Sequence, residues 1–242
     1  MEEVRFLLQT DLLQDLSPAE LEPLLAAVHR RRLERGAFFY RLGEDAREAW
    51  VLLEGQAKMV MPTPDGDEIV LDVMVPGQLF GLPAIFAAHS NRIAYAIATE
   101  TCIALSIEGK SLVAFLARHP PATRRALARL ADLVREYAEA ILYVAHEDLR
   151  GRVARRLLDL AELLGEEGAS GKRIVARISQ ETLAGMVGGS RSKVNRALAA
   201  LVASNHISVQ EGLIVLADSE RLRRDYPDWL DPAGRSSVSR GA

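Results

Sequence analysis

The sequence is short of cysteine, of long apolar runs and of any dominant charge, and each shortage closes off a class of protein. Cys102 is the one cysteine in 242 residues, so the chain can form no internal disulfide and supply no four-thiolate iron–sulfur site. Set in the run "ETCIALSI", it reads as a small buried hydrophobe of a strand rather than a reactive thiol. No apolar stretch approaches the ~18 residues that would suggest a membrane span. The first residues, "MEEVRFLLQTDLLQDLS", are acidic and lack the cationic start of a secretory signal, so a cytoplasmic location without a membrane partner is expected. The sequence shows no Ser/His/acid set, no metal-spaced cluster and no phosphate loop. Neither an enzyme nor a bound metal or cofactor is expected. His89, in "AAHSNR", is the sole candidate for a haem ligand, and a lone loop histidine reads more readily as solvated.

What is present is ordinary in bulk and uneven in charge. Hydrophobic residues make up 49% and charged residues 26%, which suits a globular chain of one large or two smaller domains. Residues 1–118 carry 11 Lys+Arg and 17 Asp+Glu, while the remainder carries 19 and 16. Within 172–206 the cations Lys172, Arg173, Arg177, Arg191, Lys193 and Arg196 face Glu181 alone. A basic patch on an acidic protein points to a polyanion, although charge alone fits a solvated helix face as well.

The pattern along the chain predicts an α+β protein. Apolar residues recur at helical spacing over 10–33 (Leu12, Leu16, Leu21, Leu24, Leu25, Val28), with Ser17 as N-cap and Pro18 in the first helical position. From 37 the pattern turns to short strands: "AWVLLEGQAKMVMP" around a Glu-Gly turn, "TPDGDEIVLDVMVPGQLF" with an Asp65-Gly66 hairpin signal, and "NRIAYAIATETCIALSI". Their even spacing predicts an antiparallel barrel or roll, an effector-type domain over 1–118 with the N-terminal helix. After "HPP", Leu127, Leu130, Val134, Tyr137, Ile141 and Val144 alternate by three and four. This seam on a helix over 119–147 fits a parallel homodimer better than a core-facing helix, because it lies between domains. A second helix starts near Asp148 and ends before a Gly-rich loop, "GEEGASGK". Residues 148–226 form the last domain, and 227–242 are expected to be a disordered tail.

"SQETLAGMVGGSRSKVNRALAAL" fits a helix-turn-helix. Ser179 caps a short helix with Leu183, Ala184 and Val187 on its apolar face. Gly188-Gly189 makes the turn, and Ser190 caps the next helix. Val194, Leu198 and Leu201 point inward, and Arg191, Ser192, Lys193, Asn195 and Arg196 crowd the exposed N-terminal half, the end that reaches base edges in a major groove. Arginine can pair with guanine O6/N7, and asparagine with adenine or a phosphate. The hairpin 206–216, turning at Glu211-Gly212, follows as a wing. Two core helices with charged tips would give the same bare pattern; a roll and a dimer helix upstream argue against that.

The chain resembles the cyclic-AMP receptor protein / fumarate-nitrate regulator family of bacterial transcription factors over about 10–225. The likeness rests on "LSPAEL", "WVLLEG", "DGDEIVLDVMVPGQLFGLPAIF", "HPP" and "GRVARRLLDLA", and is strongest in "SQETLAGMVGGSRSKVNRALAAL". It implies a β-roll of the cyclic-nucleotide-binding type, a long dimer helix and a winged helix-turn-helix on palindromic double-stranded DNA, with RNA polymerase as a further partner. Against the family's Ser-Arg-Glu-Thr-Val-Gly-Arg run the chain reads Ser190-Arg191-Ser192-Lys193-Val194-Asn195-Arg196. Both arginines are kept for guanine. The glutamate that helps select the usual half-site is Ser192. Ser179 and Gln180 match positions that contact phosphate.

The family's cyclic-AMP pocket uses a Gly-Glu-Leu turn, an Arg-Ser-Ala cassette and a Thr-Ser pair on the dimer helix. The matching positions are Gly81, Leu82 and Pro83; Arg92 and Ile93; and Tyr137 and Ala138. Of the polar side chains only Arg92 remains. Leu82 and Ile93 would face polar ligand groups without a partner, at ~1–3 kcal/mol each, so cyclic AMP should bind weakly or not at all. Arg92 reads equally well as an anion contact and as a surface arginine paired with a carboxylate. The expected function is a sequence-specific regulator that is active without ligand or uses another, unknown effector. A cyclic-nucleotide-responsive global regulator and a nucleotide-sensing module without DNA function are the alternatives, and an assay of DNA binding separates the last from the others.

Overall fold

A computed structural model describes residues 2–64, 68–87, 91–168, 171–174, 178–210 and 213–227. The chain forms two compact units, 1–135 and 136–242. The predicted turns at Asp65-Gly66 and Glu211-Gly212, His89, Arg177 and the tail beyond Pro227 lie outside the described residues.

The first unit opens with α1 (Glu2–Leu8) and α2 (Pro18–Leu25). The start of α2 is a full capping box: Ser17 Oγ accepts from Glu20 N–H at 3.3 Å, and Glu20 accepts from Ser17 N–H at 2.8 Å. The helical spacing read over 10–33 holds only for α2. Val28–Leu33 is instead strand β1, held by antiparallel pairing with Cys102–Glu108 from Val28↔Ile107 to Leu33↔Cys102. A long-range ladder overrides the local leucine period there. Exposed His29, Arg30, Arg31 and Arg32 line this strand, and charge on an edge strand discourages pairing with other chains.

The roll continues through β2 (Phe38–Tyr40), β3 (Glu48–Glu54), β4 (Ala57–Pro62), β5 (Glu68–Met74), β6 (Leu79–Phe80), the short helix α3 (Leu82–Phe86), β7 (Tyr95–Ala98), β8 (Cys102–Glu108) and α4 (Gly109–Leu116). Two antiparallel sheets result, ordered β1-β8-β3-β6 and β2-β7-β4-β5. The middle of strand β3, "AWVLL" (residues 49–53), is an unbroken apolar run because it is buried on both faces. Trp50 and Leu52 face a cluster with Phe39, Phe80, Ala96 and Cys102 inside the roll. Ala49, Val51 and Leu53 face the helical layer of Leu13, Leu21, Leu112 and Phe115. Gly55 turns β3 into β4 at φ +85°, where a Cβ would lie 2.4 Å from Thr101 O.

Helix α5 runs Pro120–His146. Its first turns bury Ala122 and Ala126 in the helical layer, and Arg125 pairs with Asp15. No helix among the described residues is long and apolar enough to cross a membrane.

The second unit contains α6 (Leu149–Leu164), β9 (Gly165–Gly168), β10 (Gly171–Ile174), α7 (Gln180–Val187), α8 (Arg191–Ala203), β11 (Ile207–Gln210), β12 (Leu213–Leu216) and α9 (Ser219–Asp225). Asp148 caps α6, accepting from Gly151 N–H at 2.7 Å. The expected Gly-rich loop is corrected to a hairpin, with Gly165–Gly168 paired to Gly171–Ile174. Its strand β10 also pairs with β12, so the wing belongs to a sheet ordered β11-β12-β10-β9.

Candidate nucleic-acid interface and effector pocket

Helices α7 and α8 meet through two glycines with separate tasks. Gly188 takes φ +61° and closes α7, its N–H returning to Ala184 O. A Cβ on Gly189 would lie 2.7 Å from Leu149 Cδ1, so Gly189 provides close approach to α6. Ser179 caps α7 as expected, accepting from Thr182 N–H at 3.0 Å. Ser190 occupies the N-cap position of α8 with extended backbone, but its hydroxyl makes no cap hydrogen bond. The expectation that it caps through its side chain is corrected, and the first-turn N–H groups of α8 lack that acceptor.

Val194, Ala197 and Leu201 are buried on α8, and Leu198 is half-buried. Arg191, Ser192, Lys193 and Arg196 are exposed, as are Ser179, Gln180 and Ser190. Asn195 departs from the expected exposure. It is half-buried, and its Oδ1 has no hydrogen-bond partner among the described residues.

Within the first unit, the residues matched to the effector pocket do not share one environment. Gly81 is buried at φ +84°. Leu82 is 3% exposed and belongs to the helical-layer core with Val51, Leu105 and Leu112, so it does not face a ligand site inside the roll. Pro83 is exposed, and Ile93 is 64% exposed; the expected pocket-facing isoleucine points to solvent. In the second unit, Tyr137 is half-buried and Ala138 exposed on α5.

Arg92 is not at the surface, and among the described residues it is not paired with a carboxylate. It is 4% exposed. Its Nη1 donates to Gly81 O at 2.7 Å, its Nη2 donates to Glu48 O, and its Cζ lies 4.1 Å over the Tyr40 ring. A Cβ on residue 81 would lie 3.0 Å from Nη1, so the glycine makes room for the guanidinium. Burial pulls the guanidinium below the usual arginine range, opposed by Tyr40, Glu44 and Glu48. The partners of Arg92 are two backbone carbonyls and an aromatic face, which leave no mark in a sequence.

The seam residues Leu127, Val134, Ile141 and Val144 are 62%, 70%, 69% and 54% exposed, with Leu130 and Tyr137 half-buried. The long helix thus carries an uncovered apolar stripe.

Residues 30–119 match the cyclic nucleotide-binding domain and residues 151–225 the Crp-like helix-turn-helix domain. The chain belongs to the cyclic-AMP receptor protein / fumarate-nitrate regulator family. It is a DNA-binding transcriptional regulator of this Crp-like type, of mixed α+β fold. The CRP-like cAMP-activated global transcriptional regulator of Mycobacterium tuberculosis is 29% identical to it, over 90% of this chain and 97% of that one. A CRP-family transcriptional regulator from Thermus thermophilus superposes with a TM-score of 0.67 at 27% identity, over 83% and 98% of the two chains. FixK2 from Bradyrhizobium japonicum, at 19% identity and a TM-score of 0.73 over 81% and 96%, shares the fold.

Proposed function

We propose that this regulator binds a palindromic duplex as a homodimer and does so without cyclic AMP. The observation that carries the reading is α8: Arg191, Lys193 and Arg196 stand exposed on its first turns, above a buried face of Val194, Ala197 and Leu201. Such a helix end fits a major groove, with Arg191 and Arg196 on guanine edges and Lys193 on phosphate. Ser179, Gln180 and the uncapped first turn of α8 are available to neighbouring phosphates. Ser192 in place of the family's glutamate supports a half-site different from the usual one. The uncovered stripe on α5 supports the homodimer, since an exposed seam of this length needs a partner helix.

Independence from cyclic AMP is supported by the roll. Leu82 is committed to the core, Ile93 faces away, and Arg92 is engaged by Gly81 and Glu48. A second reading, a regulator that still responds to a cyclic nucleotide, draws on the match of residues 30–119 and on the name of the mycobacterial relative. Selection of the purified protein against a random duplex library, with and without cyclic AMP, tests both readings. A palindromic operator recovered equally well in the two arms is expected. Recovery only with the nucleotide favours the second reading, and recovery of no preferred duplex overturns both.

A further inference from the structure

The end of α8 remote from Arg191 is held by polar side chains that the DNA-facing surface does not use. The helix closes in a Schellman motif: Asn205 takes φ 56°, its N–H donates to Val202 O at 2.9 Å, and His206 N–H donates to Leu201 O at 3.0 Å. The His206 ring is buried, 5% exposed. Its Nδ1 lies 2.7 Å from Ser204 Oγ, and its Nε2 lies 2.8 Å from Asp225 Oδ2 at the last residue of α9. Arg221, also on α9, donates to Ser204 O at 3.2 Å. Two bonds therefore tie α9 to the cap of α8.

Two residues further on, the Pro227 carbonyl accepts from Arg155 Nη2. Arg155, 8% exposed on α6, also donates to Glu147 Oε1 at 3.2 Å and lies 4.3 Å over the Tyr143 ring. Tyr143 is in the last turn of α5, and Glu147 follows that helix directly. A continuous chain thus runs from the end of the recognition helix, through α9, to the end of the central helix.

We propose that α9 is a clasp, and that His206, Asp225 and Arg155 are positioning residues which fix the rotation and axial setting of α8 against the end of α5. The proposal rests on the DNA-binding reading above. Apolar packing of Val194 and Leu201 holds α8 in place but is non-directional; hydrogen bonds at its far end fix its setting. An arginine fork on a guanine edge needs placement to ~0.5 Å, whereas a phosphate contact tolerates more. Loosening the clasp should therefore erode sequence discrimination while sparing general affinity for DNA, although the clasp lies about 20 Å along the helix from Arg191.

The test uses the full chain, the operator selected by the wild-type protein, and a random-sequence duplex of equal length. Asp225→Ala and Arg155→Met should each lower operator affinity by about tenfold and leave random-duplex affinity within about twofold. The double variant should lose no more than the worse single, because both break one chain. Asp225→Asn keeps an oxygen for His206 Nε2–H and should recover most of the loss. The Asp225 side chain is 44% exposed, so its removal spares the core and decides the matter even if Arg155→Met fails to fold. Equal losses on both duplexes, or wild-type operator affinity in Asp225→Ala, would overturn the clasp and leave the DNA reading standing. A wild-type protein that selects no duplex would sink the DNA reading itself, and the clasp with it.

Discussion

Arg191, Lys193 and Arg196 all stand exposed at the start of α8, yet a planar guanidinium and an ammonium ask different things of a duplex. The guanidinium reads two acceptors at once, and the ammonium is a point charge suited to phosphate. Arg191→Ala and Arg196→Ala should each cost ~1–3 kcal/mol on the operator and relax base preference at one position of the half-site. Lys193→Ala should weaken operator and random DNA alike and flatten the salt dependence. Equal losses on all sequences from the arginine variants would refute direct guanine readout by them. Arg92 poses the opposite case. Arg92→Met fills the space but leaves the Gly81 and Glu48 carbonyls without a donor, at about 1–3 kcal/mol for each buried group. Urea unfolding without any ligand should show that loss; unchanged stability would mean that the arginine is spare and free to meet an anion. The outward residues of α8 were legible because Val194, Leu198 and Leu201 set the helical phase. Asn195 lies at the edge of that face, where the neighbouring packing decides its burial. Arg92 was legible as a residue but not in its role, since backbone carbonyls and the Tyr40 ring make its environment.

At the scale of elements, the stripe on α5 makes the sharpest demand. Val134 and Ile141 are among its most exposed members, and a glutamate at either place would set like charges together in a parallel pair of helices. Val134→Glu or Ile141→Glu should convert dimer to monomer in sedimentation at micromolar concentration, with the helical signal largely kept. A dimer that persists would place the interface elsewhere. This helix was legible from its period, and α2 from the Ser17–Glu20 capping box. Both signals are local. Strand β1 and the hairpin β9–β10 were not legible, because their reasons lie elsewhere in the chain: β1 is held by β8, and β10 by β12. Around Gly165–Gly171 the glycines imitate a loop, and only the paired register reveals strands.

Across the whole molecule the question is what the roll still senses. A cyclic nucleotide would bring a phosphate charge together with a ribose hydroxyl and the polar edge of its base, and each needs a protein partner once dehydrated. Among the residues matched to the family pocket, Leu82 is packed among Val51, Leu105 and Leu112, and Ile93 faces solvent. Arg92 would have to give up two carbonyls before meeting a phosphate, so binding would lose on one side what it gained on the other. The regulator should accordingly be competent for DNA as it stands. Operator affinity measured with and without millimolar cyclic AMP should agree within about twofold, and a calorimetric titration of the nucleotide should yield no saturable heat. Micromolar binding joined to a gain of about tenfold in operator affinity, ~1.4 kcal/mol of coupling, would refute this. It would mean that Arg92 releases its carbonyls on demand, and that backbone groups of Gly81–Phe86 supply the contacts which the side chains no longer make.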